Sequence, residues 1–436
     1  MNYETPLNTR YASAEMKEIF SPHFKYKTWR KLWVALAEGE KDLGINITDE
    51  QIAELKAKQH SIDFEKVRAF ERETRHEVMA HIHAYGEDCP DAKGIIHLGA
   101  TSSYVMDNGD LMQLKTGLKV LKGKLILLIE KLNHLALQEA ETPCLGYTHF
   151  QPAQATTFGK RICLYLQDFL TDFKDLLYLM EDFPFLGVKG TIGTQSFPRK
   201  QELRILSCLA SIASSAHKYA TDLRLLSHLG EIEEPFGQKQ VGSSAMPYKR
   251  NPIFSERICG LSRFIMNLWH NSADNASLQW LERSLDDSSN RRLTIPEAFL
   301  ATDSILNLLY SITDGLKIYP KLMETHLLEH LPYISTEILL AAAALQGKDR
   351  QKTHEQLRVL TFEAAKQKKE TGKAPDLLKT LLDALGFSEK ALSDELKPEK
   401  LTGRSKEQVI AFLKLEVEPI LEKHLTLETT IPTIEF

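Results

Sequence analysis

Apolar residues recur with helical spacing along nearly the whole chain of 436 residues. In the clearest stretch, leucines alternate between spacings of three and four from Leu111 to Leu135, which places all of them along one helix face. A second stretch, from Phe158 to Met180, is apolar on more than one face, as is typical of a helix buried on several sides. Further helical patterns span about 199–229, 253–281 and 291–318, whereas alternating strand patterns are scarce.

Five long helical segments between about 108 and 320 predict an all-α protein built around one elongated bundle. We predict three domains: an N-terminal helical domain at 1–107, the central bundle at 108–320 with a catalytic loop at about 230–252, and a C-terminal helical domain at 321–436. The second boundary rests on Tyr319-Pro320, because proline disfavours helix in the residue before it. Helices that are apolar on several faces favour a homo-oligomer, although one chain could also satisfy them alone.

Composition narrows the class of protein. The formal net charge of -5 gives no argument for binding nucleic acid or an acidic membrane. The five cysteines are widely spaced and form no CxxC pair, which favours reduced thiols over a disulfide framework or a zinc site. The N-terminus lacks signal-peptide features, and no apolar run approaches the roughly 18 residues of a membrane helix. We therefore expect a soluble cytoplasmic protein.

The most unusual segment runs from Gly242 to Pro252 and contains two serines, two prolines and a Tyr-Lys-Arg-Asn stretch. Glycine frees the backbone and proline fixes it, so this stretch can hold a serine hydroxyl at an unusual angle. Residues 237–244 superficially resemble the phosphate loop GxxxxGK[ST], but the lysine after the second glycine is absent and no strand precedes it. Nucleoside triphosphate binding is therefore not expected.

Three further polar segments interrupt the helical pattern before this loop. In residues 75–83, His76 and His81 are five residues apart, whereas the HExxH zinc motif needs a spacing of four, so a metal site is not expected. In residues 96–104, Thr101 or Ser102 could cap the following helix, and the same helix start could bind a carboxylate or a phosphate. In residues 146–154, His149 is either an ordinary loop histidine or a proton donor working near neutral pH.

A fifth segment, residues 280–292, contains three arginines with hydroxyl residues between them. Such a set could form paired hydrogen bonds to phosphate or carboxylate. The alternative is a solvated helix start, with Asp286 and Asp287 at the positive end of the helix dipole.

These five segments occur in the order and at separations similar to those of the adenylosuccinate lyase family, and the serine-bearing loop resembles that of the whole fumarase/aspartase superfamily. The resemblance spans about residues 8–345. It implies a three-domain fold whose long helices form a 20-helix core in a homotetramer, with each active site shared by three chains. It further implies an enzyme of purine biosynthesis that releases fumarate from adenylosuccinate and from SAICAR by anti β-elimination, without cofactor or metal.

The resemblance also implies roles for individual residues. Ser243 matches the general base, His149 the general acid, and Glu256 the carboxylate that orients this acid. Lys249 and Asn251 match residues that stabilise charge in the closed site. His76 matches a second histidine of the site. The positions that match substrate contacts are Arg10, Tyr11, Arg75, Thr101, Ser102, Thr148, Gln195, Asn251, Arg257, Arg283, Ser288 and Arg292.

The chain departs from the family pattern at two places. Glu77 stands where many members have aspartate, and Ser103-Tyr104 stands where bacterial forms often carry an aspartate. Argininosuccinate lyase or a cycloisomerase is the alternative within the superfamily. Outside it, the alternatives are a catalytically silent structural protein and a metal-binding helical protein. The intact set of Ser243, His149, Lys249 and Glu256 argues against a silent protein.

Overall fold

The computed structural model describes residues 3–183 and 197–425. Helices dominate these residues, so the predicted all-α fold is confirmed. Gln195, one of the predicted substrate contacts, lies outside the described residues. The first helices are α1 (Ala14–Ile19), α2 (Pro22–Asp42), α3 (Asp49–Lys58), α4 (Phe64–Thr74) and α5 (Glu77–Asp88), with a π-turn at Leu7–Tyr11 and a 3-10 turn at Lys93–Ile95.

Five long helices follow, each close to its predicted range. They are α6 (Ser102–Gln138), α7 (Phe158–Glu181), α8 (Lys200–His228), α9 (Ile253–Ser277) and α10 (Asp287–Gly315). Helix α6 packs against α7 and α10, and α9 packs against α8 and α10, so the five form one bundle. Every leucine of the predicted face from Leu111 to Leu135 is buried, at about 1.5–3 kcal/mol for each fully buried side chain. Helix α10 is central, since all residues from Ala298 to Tyr310 are buried.

The chain ends with shorter helices that follow the predicted break at Tyr319-Pro320. They are α11 (Pro320–Ile334), α12 (Thr336–Leu345), α13 (Arg350–Thr371), α14 (Leu377–Leu385), α15 (Glu389–Leu392), α16 (Pro398–Leu401), α17 (Ser405–Phe412) and α18 (Glu418–His424), with a π-turn at Leu413–Val417. Proline is the first residue of α11, where its missing N–H costs no helical hydrogen bond.

Apolar packing divides into several clusters. Separate clusters gather around Trp33 near the N-terminus and around Leu381 near the C-terminus. Both ends of the chain nevertheless return to the bundle, since Met16 and Val417 belong to its core. The division into three domains at 107 and 320 stays a prediction.

A buried ion pair connects the N-terminal segment with the bundle. The ammonium of Lys124 on α6 contacts the carboxylate of Asp303 on α10, and both side chains are almost fully buried. The same carboxylate accepts the backbone N–H of Ser13 at 2.7 Å, and Lys124 donates to the Ser13 hydroxyl at 3.2 Å. Because the two charges satisfy each other and are hydrogen-bonded, they can be buried together.

The sequence pattern did not predict the antiparallel hairpin of β1 (Pro143–Thr148) and β2 (Gln151–Thr157). Thr148 pairs with Gln151, so His149 and Phe150 form a two-residue turn. Both have positive φ, 52° and 57°, which is the type I′ conformation that Asn-Gly normally occupies. An irregularity between Leu145 and Tyr147 interrupts the pairing. The irregular pairing and the unusual turn residues together hide the hairpin from a pattern of alternating residues.

Candidate functional site

The serine loop, residues 237–252, leaves a short two-stranded stem and enters α9. In the stem, β3 (Ile232–Glu233) pairs with β4 (Lys317–Ile318). Within the loop, the side-chain amide of Asn251 donates to the Gly242 carbonyl at 2.9 Å, which ties the end of the loop to its middle. A side chain at Gly242 would overlap the Lys249 carbonyl oxygen, so only glycine allows this close approach.

Ser243 is half-buried and its hydroxyl oxygen faces backbone N–H groups. It accepts from Ala245 at 3.3 Å and from Met246 at 3.1 Å. Two donors directed at one oxygen favour negative charge on it, as in the anion-binding concavities formed by successive backbone amides. The geometry therefore supports a serine that can carry an alkoxide, which a general base of this type requires.

Of the predicted site residues Lys249, Glu256 and Arg257, the first two are exposed and the third packs against an aromatic ring. Lys249 is exposed, and Glu256 is exposed in the first turn of α9. Arg257 lies over the Tyr11 ring, with 5.2 Å between the guanidinium carbon and the ring centroid. This contact brings together two predicted substrate residues from distant parts of the sequence, while Arg10 beside them is exposed.

His149 and Thr148 are exposed at the tip of the hairpin. His149 is held in the left-handed region, which is costly for a residue with a side chain and is most common at functional positions. Among the described residues, no hydrogen bond or ion pair joins His149 to Ser243 or to Glu256. Within the described residues, the predicted acid, its orienting carboxylate and the base are thus not joined by direct contacts.

A pair of histidines lies near the start of α5. His76 is the N-cap residue, and its Nδ1 accepts the Met79 N–H at 3.3 Å. Arg75, just before it, ends α4 with a φ of 51° and is exposed. His97 accepts the Trp33 indole N–H on Nδ1 at 2.9 Å, and burial together with the nearby His76 lowers the pKa of His97.

Sequence reasoning missed His97 as a candidate. It has a φ of 66° and directly precedes the Gly-Ala-Thr-Ser stretch that begins α6. Its place in that polar segment was the available signal. The helix does begin at Ser102, with Thr101 as its N-cap residue, but the Thr101 hydroxyl makes no capping hydrogen bond. Thr101 therefore occupies the cap position expected of Thr101 or Ser102, without a capping bond from its side chain.

A polar cavity of about 250 Å³ lies where α2, α5, α6 and α10 meet. Ser288 and Arg292 line it from α10. Glu77 accepts from Arg292 at 2.6 Å, from Lys25 at 2.9 Å and from the Tyr26 hydroxyl at 2.7 Å. Burial would raise the pKa of the Glu77 carboxyl, but these three donors outweigh it and lower the pKa to about 2. Glu77 thus holds two cations, Lys25 and Arg292, at the wall of the cavity.

Below this cavity, residues 280–292, the arginine segment, enter a buried charge network. Asp287 is 1% exposed and accepts from Arg199 at 2.6 Å and from Arg283 at 3.4 Å. Arg291 donates to both carboxylate oxygens of Glu202 at 2.8 Å. The alternative of a solvated helix start is therefore wrong for Asp287. The network fixes the turn that carries Arg283, Ser288 and Arg292.

Within residues 3–183 and 197–425, no three His, Cys, Asp or Glu side chains converge as a metal ion would need. Among the helices of the same ranges, none has the length and apolar character needed to cross a membrane.

Comparison with known proteins places the chain among lyases. A family model described as Lyase matches residues 26–197 and 194–267. The chain is 43% identical to adenylosuccinate lyase of Schizosaccharomyces pombe, over 96% of both chains. It is 42% identical to adenylosuccinate lyase of Schistosoma mansoni and 40% identical to that of Saccharomyces cerevisiae, in each case over 97% of this chain and 96% of the other.

Solved structures share the fold. A 3-carboxy-cis,cis-muconate lactonizing enzyme from Pseudomonas putida superimposes with a TM-score of 0.82 at 22% identity, covering 94% of this chain and 98% of that one. A fumarate lyase from Mesorhizobium sp. BNC1 has a TM-score of 0.81 at 21% identity, covering 95% and 100%. At such identities the likeness establishes the architecture alone.

Proposed function

The chain belongs to the adenylosuccinate lyase family, and from this premise we propose that it cleaves adenylosuccinate to AMP and fumarate, and SAICAR to AICAR and fumarate. The observation that carries the proposal is the geometry of the serine loop. Its Ser243 oxygen faces two amide donors while Lys249 remains exposed beside it. No cofactor is needed for this chemistry, because a base and an acid suffice.

In the proposed reaction, Ser243 removes the proton from the Cβ of the succinyl group. The electron pair left on Cβ is delocalised into the adjacent carboxylate as an aci-carboxylate. Lys249 and Asn251 stabilise this charge by electrostatic preorganisation once the loop has closed. The pair then forms the double bond of fumarate while the C–N bond breaks.

The departing nitrogen takes a proton from His149, which is oriented by Glu256 and assisted by His76. Acid and base act from opposite faces of the substrate, as anti elimination requires. The exposed tip of the hairpin suits His149 for this role, because its side chain is accessible to a bound substrate.

Substrate recognition rests on cations and hydroxyl groups. A phosphate and two carboxylates bring roughly four negative charges, so a chain of net charge -5 needs concentrated donors to bind them. We assign this role to the set named from the resemblance: Arg10, Tyr11, Arg75, Thr101, Ser102, Thr148, Gln195, Asn251, Arg257, Arg283, Ser288 and Arg292. The cavity beside Arg292 and Ser288 supports one part of that set.

We further propose a cytoplasmic homotetramer whose central domains, residues 108–320, form a 20-helix core with sites shared by three chains. Two observations support it. Among the described residues, no hydrogen bond or ion pair joins His149 to Glu256, the carboxylate proposed to orient it. Large apolar side chains on the long helices are also exposed, including Leu164 at 61%, Tyr178 at 67% and Leu293 at 67%. Sedimentation equilibrium should give the mass of four chains, and a monomer would contradict the shared site.

The function is tested by following the ultraviolet absorbance of adenylosuccinate in the presence of a chelator. Loss of adenylosuccinate with equimolar fumarate and AMP is the expected result, and SAICAR should be consumed similarly. Argininosuccinate serves as the control substrate. Turnover of argininosuccinate in place of adenylosuccinate, or activity that disappears with the chelator, would overturn the proposal.

A further inference from the structure

One buried carboxylate, that of Glu234, closes the base of the serine loop. It accepts the backbone N–H of Phe254 at 3.0 Å and that of Ser255 at 2.7 Å. The side chain is 8% exposed. The bonded residues are 20 and 21 positions apart. These hydrogen bonds therefore join the two ends of the loop across all of its intervening residues.

Helix α9 depends on this distant acceptor. Its N-cap residue is Pro252, which has no side-chain acceptor, so the amides of Phe254 and Ser255 receive no capping bond from it. A carboxylate satisfies two of these amides at once and also suits the positive end of the helix dipole. Glu234 thus supplies from the far side of the loop what serine or aspartate usually supplies at the cap position.

The neighbouring residue attaches the loop on the opposite side. Successive side chains in extended backbone point in opposite directions, and Glu233 is accordingly partly exposed where Glu234 is buried. Glu233 accepts from Arg250 at 2.8 Å and from the Tyr319 hydroxyl at 2.9 Å. Of the two attachments, the buried one at Glu234 is better shielded from water and from salt.

The first turn of α9, whose amides bond to Glu234, carries residues of the proposed reaction. Glu256 follows Ser255 directly, and Arg257 comes next with its contact to the Tyr11 ring. On the loop side, Asn251 precedes the turn and binds the carbonyl of Gly242, the residue before Ser243. The backbone around Ser243 and the turn that carries Glu256 therefore share one anchor.

We propose that Glu234 is a positioning residue for the proposed lyase reaction. Its carboxylate fixes the base of the serine loop, so that Ser243 and Glu256 reach their working positions when the loop closes. The residue acts through those two side chains and needs no contact with substrate. This inference rests on the proposed function, but the anchoring itself can be measured without it.

The test replaces Glu234 with glutamine, which keeps the size of the side chain but puts an NH₂ group against a backbone N–H. We expect kcat to fall about 100-fold, the effect of a misplacement of about 1 Å. KM should stay within about threefold, because Arg283 and Arg292 bind the substrate from another segment. Hydrogen exchange measured by mass spectrometry on the intact protein should become faster in residues 235–255. Glu234→Asp, which retains the charge on a shorter arm, should give a smaller fall in kcat and keeps the test available if Glu234→Gln does not fold.

Asp349 provides the matched control. It caps α13 through the same kind of paired bonds, to the N–H of Gln351 at 2.9 Å and of Lys352 at 3.0 Å, far along the chain from the serine loop. Asp349→Ala removes the acceptor, so it should loosen the start of α13 and leave kcat unchanged. Equal losses of kcat in the two variants would reduce Glu234 to a general stabilising cap and overturn the proposal.

Fumarate release tests the proposed function, whereas hydrogen exchange tests the Glu234 anchor. If the wild-type protein releases no fumarate from adenylosuccinate or SAICAR, the proposed function fails, and faster exchange of residues 235–255 in Glu234→Gln still supports the anchor. Unchanged exchange together with unchanged kcat in that variant refutes the anchor, whatever the substrate of the enzyme.

Discussion

The arginine segment and the serine loop both interrupt the helical pattern with polar residues, but the folded chain treats them in opposite ways. In the arginine segment, Asp287 and Arg291 are buried and bonded to partners on other helices. In the serine loop, Ser243 is half-buried, and Lys249 is exposed, with its backbone N–H bonded to the Met246 carbonyl of the same loop. Asp287 and Arg291 of the arginine segment thus have buried partners within the chain, whereas the serine loop presents Lys249 to solvent.

The difference separates residues that build a site from residues that react in it. Buried charges must be paired where they stand, so the network below the cavity is rigid before any ligand arrives. Groups that exchange protons with a substrate need access to it and reach their full set of contacts only in its presence. The serine loop and the His149 hairpin are exposed, as groups that meet a substrate need to be. The buried charge network is suited to holding the neighbouring residues in place.

The largest effect that separates the two segments is expected in Ser243→Ala. Removal of a general base should lower kcat about 10²–10⁴-fold, while the thermal midpoint changes little because the side chain is only half-buried. Ser244→Ala, at the exposed neighbouring position, is the control and should retain activity within about tenfold. Fumarate release and thermal unfolding measure the two properties.

Mixing variants extends this prediction to the shared site. Ser243→Ala and His149→Gln should each be nearly inactive alone. Tetramers re-formed from a mixture of the two should regain part of the activity, because some sites then combine an intact serine with an intact histidine. Mixed tetramers that stay inactive would place both residues of each site on one chain.

The second prediction concerns Arg291 and stability. Arg291→Met leaves Glu202 buried without its bidentate partner, and removal of one member of a buried pair costs about 3–5 kcal/mol in the free energy of unfolding. Arg292→Met is the control, since Arg292 is 56% exposed and its pair with Glu77 contributes at most about 1 kcal/mol. Denaturant unfolding at fixed protein concentration compares them. Equal losses of stability in the two variants would show that the buried network stabilises the fold no more than an exposed ion pair does.

The sequence predicted the bundle well because apolar periodicity reports burial directly. The leucine face of α6 and the ranges of α7 and α8 follow from spacing alone. The hairpin around His149 was not predicted, because its turn uses two residues that rarely adopt positive φ. The role of Glu234 was not predicted either. Its partners are backbone amides some 20 residues away, and side-chain identities do not reveal backbone partners.

The candidate site was only partly predictable for a similar reason. Charge patterns could suggest that the arginine segment binds anions, but they could not tell which arginine is exposed. Both Arg291 and Arg292 line the cavity, but Arg291 is buried against Glu202 whereas Arg292 is exposed and donates to Glu77. Likewise, His97 was overlooked because only the fold brings it beside His76 and Trp33.

The smallest expected effect concerns a buried polar group that has no part in the proposed reaction. His81 stacks on Tyr26 with 3.8 Å between ring centroids, and burial lowers its pKa from 6.5 to about 4. Between these values the unfolded chain binds the proton and the folded chain does not, so stability falls as pH decreases from 6.5 towards 4. The full loss in the free energy of unfolding is about 3 kcal/mol below pH 4.

His81→Phe keeps the stacking but cannot be protonated, and its free energy of unfolding should depend less on pH in this window. Denaturant unfolding at pH 7, 6, 5 and 4 measures the slope for both proteins, and identical slopes would show that His81 is not held neutral in the folded chain.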